Sequence, residues 1–380
     1  MIFLLFLLVS CGETTGVQPK NSGLAGFLVE FDESFQKRID RQEVFDSYGK
    51  DIETTINITA LGYDKKILPG YSGEVKIGLL YGENAAVSRI PVKNGYAENV
   101  PVKMRNCLDK DSVVVQEVKK HDGEDSYSET GKIGVSPVFR ASVATISAIQ
   151  GTTSGDKGLS SAFNNRNLTL KDREMVVIAV IEGGFYLHEV GKEEYSSVYM
   201  YTYSTPYVDD NREENTFLPV GALIESANGS VFEFFGFTEM SFPTFKPVYE
   251  NGEIKVDKSK IPKPKNINDI LTNNSEMEKY EASLVTVENV SVAWFNEEDS
   301  SYIEYSQFPL ETEDGKPIMS QTLYTAPLFN AVAEKPSDEN SSGHHYNFTG
   351  ILKQHTSARP STWILVPRDM NDIKCLDCDK

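Results

Sequence analysis

The sequence predicts an all-β chain of two or three domains. Tyr and Phe are abundant, at 18 and 20 residues, and aromatic side chains favour strands. Runs of Ala and Leu at helical spacing are scarce. Short apolar–polar alternations, broken by Gly-, Pro- and Asn-containing turns, recur along most of the chain. At 380 residues there is length for several cores, and 39% hydrophobic content is too high for a disordered chain.

The first element is an apolar run over residues 2–9. It is about half the length needed to span a bilayer as a helix, so it reads as the h-region of a secretory signal. Leu8-Val9-Ser10-Cys11-Gly12 follows at once. This stretch resembles the lipobox of bacterial lipoproteins. The resemblance implies export, palmitate-type lipid modification of Cys11, and membrane attachment through that anchor, at the outer membrane or cell surface. Residues 1–11 are then the signal peptide with its Cys, and polar residues 12–25 a tether.

Residues 26–120 read as a β-sandwich. Thr55–Ala60 and Glu74–Leu79 alternate around a Pro69-Gly70-Tyr71-Ser72-Gly73 turn, and Asn94-Gly95 between Ile90-Pro91-Val92 and Tyr96-Ala97 is a hairpin signal. Val100-Pro101-Val102 and Val113-Val114-Val115 continue the pattern. The run from Ile56 to Val115 resembles the immunoglobulin-like (Ig-like) domains of bacterial surface proteins. Polar, Gly/Ser-containing residues 121–140 are expected to be a linker.

Residues 141–248 carry the most specific pattern. Landmarks in order are Ile149-Gln150-Gly151, a buried-type run Glu174–Ile181, Gly183-Gly184-Phe185-Tyr186-Leu187, Val198–Tyr203, Val220-Gly221, and Glu233-Phe234-Phe235-Gly236-Phe237-Thr238-Glu239. The order looks like an OB-fold, a five-stranded barrel. In detail it resembles the barrel module found upstream of the catalytic domain in large secreted bacterial nucleases, departing at Ala179, where that family has Gly, and at Ala222, where it has Asp. Residues 249–269 are a Lys- and Pro-rich spacer. Glu278–Val292, Tyr346–Leu352 and Trp363–Ile373 resemble the following segment of the same proteins, so residues 270–374 are expected to be a second OB-like barrel, with 375–380 a CxxC tail. The expected architecture is an N-terminal Ig-like β-sandwich followed by two OB-like β-barrels.

The resemblance covers a non-catalytic part of the nucleases, and no HExxH, GxSxG, phosphate-binding loop or dinucleotide-binding Gly pattern occurs. We therefore expect no enzyme activity, no catalytic residue, no cofactor and no metal site. Acidic runs such as Asp209-Asp210 lack the fixed spacing of a calcium loop and read as solvated loops. The best binding candidates are aromatic. Tyr199, Tyr201 and Tyr203 recur at period 2, and Tyr186 and His188 share a face of a neighbouring strand. OB barrels bind oligonucleotides or oligosaccharides across these strands. Alternatively, the tyrosines cover the barrel or pack on a neighbouring domain. Trp363, with Lys353 and Arg359 near it, is a further candidate.

Charge weighs on the ligand. Of 56 acidic and 37 basic residues, 1–140 hold 20 and 17, 141–280 hold 20 and 13, and 281–380 hold 16 and 7. The excess acid lies on the barrels, which disfavours nucleic acid and leaves a glycan, protein or peptide as the expected ligand. An accessory nucleic-acid-binding role and a purely structural envelope role are the alternatives. The remaining cysteines point to a disulfide, local between Cys375 and Cys378 or from Cys107 to one of that pair.

Overall fold

A computed structural model describes residues 23–47, 50–86, 89–121, 126–151, 160–181, 183–208, 217–336, 343–355 and 362–378. Cys11 and the signal sequence expected around it lie outside these residues. The chain is mostly β and divides into two compact units, Met1–Ser142 and Val143–Lys380.

The first unit is a sandwich of two antiparallel sheets. One contains β1 (Leu24–Phe31), β2 (Ile52–Gly62) and β5 (Tyr96–Arg105), in the order β1-β2-β5, with the two-residue strand Glu83–Asn84 on its edge. The other contains β3 (Gly73–Leu79), β4 (Arg89–Val92), β6 (Val113–Lys120) and β7 (Tyr127–Val135), in the order β7-β6-β3-β4. The alternation read in the sequence faces inward: Ile56, Ile58 and Ala60 of β2, Val75 and Ile77 of β3, and Val113 and Val115 of β6 are buried. Phe31, Phe35, Phe45 and Phe139 stack at one end, with centroids 4.7–6.1 Å apart. Phe35 is placed there by α1 (Glu33–Asp40). The Asp32 carboxylate caps that helix by accepting from Phe35 N (2.9 Å), and it ties the helix to β2 by accepting from Thr54 Oγ1 (2.6 Å).

Two expectations are corrected here. Residues 121–140 are not a linker: they hold β7, paired to β6, and the short strand Phe139–Ala141. Along β7 Gly134 alone is buried, so the backbone ladder rather than an apolar face holds the strand, and no alternation marks it. Asn94-Gly95 does form a tight turn with positive φ at both residues (51° and 85°). The strands it joins, however, belong to different sheets, with a single Lys93–Tyr96 bridge between them. A Cβ on Gly95 would stand 2.7 Å from Leu68 O, so the crossing leaves no room for a side chain.

The second unit contains two closed barrels. The first uses β9 (Met175–Ile181), β10 (Gly184–Glu189), β11 (Ser197–Tyr201), β12 (Leu223–Phe234) and β13 (Phe237–Pro247), preceded by β8 (Asn167–Leu170), which pairs with β12. The ring runs β9-β10-β11-β13-β12 and back to β9, with β11 and β13 parallel. The second uses β14 (Leu284–Val292), β15 (Gln307–Thr312), β16 (Pro317–Gln321), β17 (Tyr346–His355) and β18 (Thr362–Val366). It closes in the same relative order, with β16 and β18 parallel. This shared pairing is the five-stranded order of an OB-like barrel.

The expected spacer is built into this unit rather than free. Lys265–Asn266 adds a parallel pair to β14, and Leu223 N donates to Lys255 O (2.9 Å). The terminal Cys375 closes β19 (Ile373–Cys375), which pairs with β17, and is disulfide-bonded to Cys378. The local alternative therefore holds, and Cys107 is buried in the first unit.

In the sandwich, β1 and β7 come close at Gly26 and Gly134. A Cβ on Gly26 would lie 2.6 Å from Ile133 O, and one on Gly134 would collide with Phe27 O. Gly134→Ala is expected to destabilise the first unit by about 1–3 kcal/mol, read as a lower urea midpoint in the full chain.

Candidate functional site

Strand alternation sets the first barrel's two faces. On β10, Phe185 and Leu187 are fully buried, while Tyr186 and His188 lie on the opposite face; on β11, Val198 and Met200 alternate with Tyr199 and Tyr201. The sequence-predicted stripe is therefore real: Tyr186 and Tyr199 rings are 4.8 Å apart, Tyr199 and Tyr201 6.3 Å, and Tyr201 and Tyr203 6.2 Å. Tyr203 lies beyond the end of β11 in a left-handed turn (φ 68°), so it joins the stripe through the turn, not through strand periodicity.

The stripe changes character along its length. Tyr186 and Tyr199 are 2% and 8% exposed. They pack with Phe237 and with Ala282, Leu284 and Ile351 of the second barrel in one apolar cluster. Ala179, where the resembled family has Gly, is also in that cluster. These two tyrosines thus serve the joint between the barrels. Burial, with Tyr199, Glu239 and Glu281 nearby, pushes the Tyr186 phenol well above its usual pKa. Tyr201 is half-buried and Tyr203 is 76% exposed.

Beyond the joint the barrels part to leave a cleft of about 450 Å³. Ile181, Gly183, Tyr186, Tyr201 and Tyr203 line it from the first barrel. Gln321, Tyr324, Thr325, Lys353 and Val366 line it from the second. Lys353 comes from β17 and its Nζ lies 5.7 Å from the Phe237 ring centroid. Burial lowers its ammonium pKa, opposed by Glu239. Glu239 is turned to Ser241, whose hydroxyl donates to it (2.8 Å).

The joint also collects carboxyl groups that sequence reading left without a role. Glu233 Oε1 accepts from Thr238 Oγ1 (2.9 Å) and Ser161 N (2.7 Å), locking the β12–β13 turn. Thr238 N donates to Glu281 Oε2 (3.1 Å) from the segment entering the second barrel. Glu278, at the end of α2 (Asn274–Glu278), is buried with Glu281 and joins the half-buried Glu233 in one carboxyl cluster. Burial first, then the Glu233 charge, raises the Glu278 carboxyl to about 8; Glu281 is raised well above its usual range by burial and by both neighbours. The signal was in the motifs: Glu233 and Thr238 belong to the first barrel's landmark run, Glu278 and Glu281 to the second's. Gln150 of the Ile-Gln-Gly landmark is likewise a fastener, donating from Nε2 to Ser197 O (2.6 Å).

Other candidates stand elsewhere. His188 is 3% exposed, with Nδ1 3.0 Å from the fully buried Ser197 hydroxyl, and burial lowers its imidazole to about 4. It lines a separate hollow of about 550 Å³ bordered by Lys192, Lys260, Lys263 and Lys265. Trp363 is not a ligand platform: it is buried in the second barrel's core and donates from Nε1 to Asn274 Oδ1 (3.1 Å). Arg359 lies outside the described residues, and Arg368 forks onto Asp372 at 2.7 and 2.8 Å, anchoring the terminal turn. Among the described residues no three His, Cys, Asp or Glu side chains are arranged to hold a metal ion, and no helix is long and apolar enough to cross a membrane.

No protein-family model matches the chain, and no curated protein matches it either.

The raised carboxyls predict a pH response. They hold protons in the folded state above the unfolded value of 4.5, so folding takes up protons in between. Stability of the second unit should fall as pH rises from about 4.5 to about 8. Glu278→Gln should remove roughly 5 °C of that fall in thermal midpoint, the scale of about 1–2 kcal/mol for a unit this large. A pH-independent midpoint in the unsubstituted chain would refute this.

Proposed function

We propose that the chain is a non-enzymatic binding lipoprotein of the bacterial envelope, anchored through Cys11, that takes a glycan between its two barrels. The single observation that carries the reading is the cleft, where Tyr201, Tyr203 and Tyr324 present ring surface to one space. Tyr203 and Tyr324 are 76% and 66% exposed, and exposed tyrosines gathered in a concavity offer stacking faces together with hydroxyls. The non-enzymatic part rests on the lack of catalytic motifs in the sequence and on the burial of the His188–Ser197 pair away from the cleft. The envelope location rests on the lipobox resemblance alone.

A second reading, accessory nucleic-acid binding, is favoured by the hollow beside His188, where Lys192, Lys260, Lys263 and Lys265 outnumber the one acid, Glu193. The two readings separate by salt. Single-stranded DNA held at those lysines should dissociate steeply as salt rises, whereas a stacked glycan should be nearly indifferent to it.

Tyr203→Ala should weaken glycan affinity by about 1–3 kcal/mol, taking the range for a base stacked on an aromatic side chain as the scale, with the unfolding midpoint unchanged. Tyr186→Ala should instead destabilise the second unit by about 3–5 kcal/mol, because it empties the joint. Glycan-array binding and thermal melts on the two variants check both statements.

A further inference from the structure

Lys353 is the one cationic residue among the cleft's described lining residues. It stands on β17, half-buried, inside a unit that is strongly acidic overall. Among the described residues its ammonium makes no hydrogen bond and no ion pair. It faces the Phe237 ring at 5.7 Å and interacts at longer range with Glu239 and His355. Glu239 acts on it at longer range while accepting a hydrogen bond from Ser241, and does not close onto the ammonium as an ion pair. A partly desolvated ammonium without a contacting anion costs free energy, and an anion reaching it would recover part of that cost.

We infer that the cleft selects a glycan residue bearing a carboxylate, a uronic acid, whose acid group meets Lys353 while its ring lies against Tyr201, Tyr203 or Tyr324. The inference rests on the glycan reading of the cleft and sharpens it. The arrangement fits a single negative charge. A nucleic-acid strand carries one phosphate per nucleotide and calls for a row of cations, and the described lining holds one. Gln321 and the tyrosine hydroxyls supply neutral hydrogen-bonding groups suited to sugar hydroxyls. The volume of about 450 Å³ is within the usual range for small-ligand sites.

The test is calorimetric titration of the full chain with glucuronate-, galacturonate- and mannuronate-containing oligosaccharides, the same oligosaccharides after carboxyl reduction, and a short thymidine oligonucleotide. At least one acidic oligosaccharide should bind roughly tenfold more tightly than its reduced form, the scale of one charge-assisted contact. Lys353→Met should erase that difference by weakening the acidic form far more than the reduced one, and Lys353→Arg should keep most of it. If Lys353→Met fails to fold, salt dependence in the unsubstituted chain decides: the acidic form should weaken with salt and the reduced form should not. Equal affinity for acidic and reduced forms overturns the role of Lys353 and leaves the glycan reading standing. Binding of neither form across the series overturns both, and salt-sensitive binding of the oligonucleotide alone does so in favour of nucleic acid.

Discussion

The entry into β14 packs against the tyrosine face of the first barrel, and the rest of the second unit depends on that contact. Tyr186 and Tyr199 would otherwise be a bare aromatic patch, and each buries on the order of 150–250 Å² when covered. Ala282 and Leu284, just before and at the start of β14, provide the cover together with Ile351 of β17. Backbone bonds fix the same place: Tyr195 N donates to Lys279 O (2.7 Å), and Ala282 N donates to Leu352 O (2.8 Å). The cleft exists because this packing stops short of the end of the stripe. The buried tyrosines set the separation of the barrels, and the exposed ones inherit the gap.

The electrostatics of the unit follow from the same joint. Covering Glu278 and Glu281 removes water from carboxyl groups that already face Glu233, so their protons are retained. Arg173 and Glu189 form a mostly buried pair at 2.8 Å nearby on the barrel. The net acidity read from composition is thus partly discharged within the joint, while Glu239 acts on Lys353 only at longer range.

Much of the strand architecture was legible in the sequence because alternation reports a half-buried strand. Ile56–Ile58–Ala60 and Val75–Ile77 are examples. The barrel landmarks were legible because they are structural fasteners whose spacing the fold imposes: Gln150 on Ser197 O, and Glu233 on Thr238. β7 was hidden because an edge strand with outward side chains needs no apolar face. The stripe of tyrosines was visible, but its division into covered and open halves was not. That division depends on residues more than eighty positions away, which local periodicity does not report. Trp363 looked like a platform for the same reason: an aromatic beside basic residues reads alike whether its strand turns it to solvent or, as here, into the barrel.

The close approach of β1 and β7 bears on how this chain behaves among copies of itself. Those are the two long outer strands of the sandwich, one from each sheet, and Gly26 and Gly134 let them shelter one another's backbone. The opposite margins end in the two-residue Glu83–Asn84 and the four-residue β4, which carries Pro91. Short, proline-bearing margins are poor templates for a foreign strand. Crowding many such molecules on one surface therefore carries little risk of sheet-to-sheet aggregation through the described part of this unit.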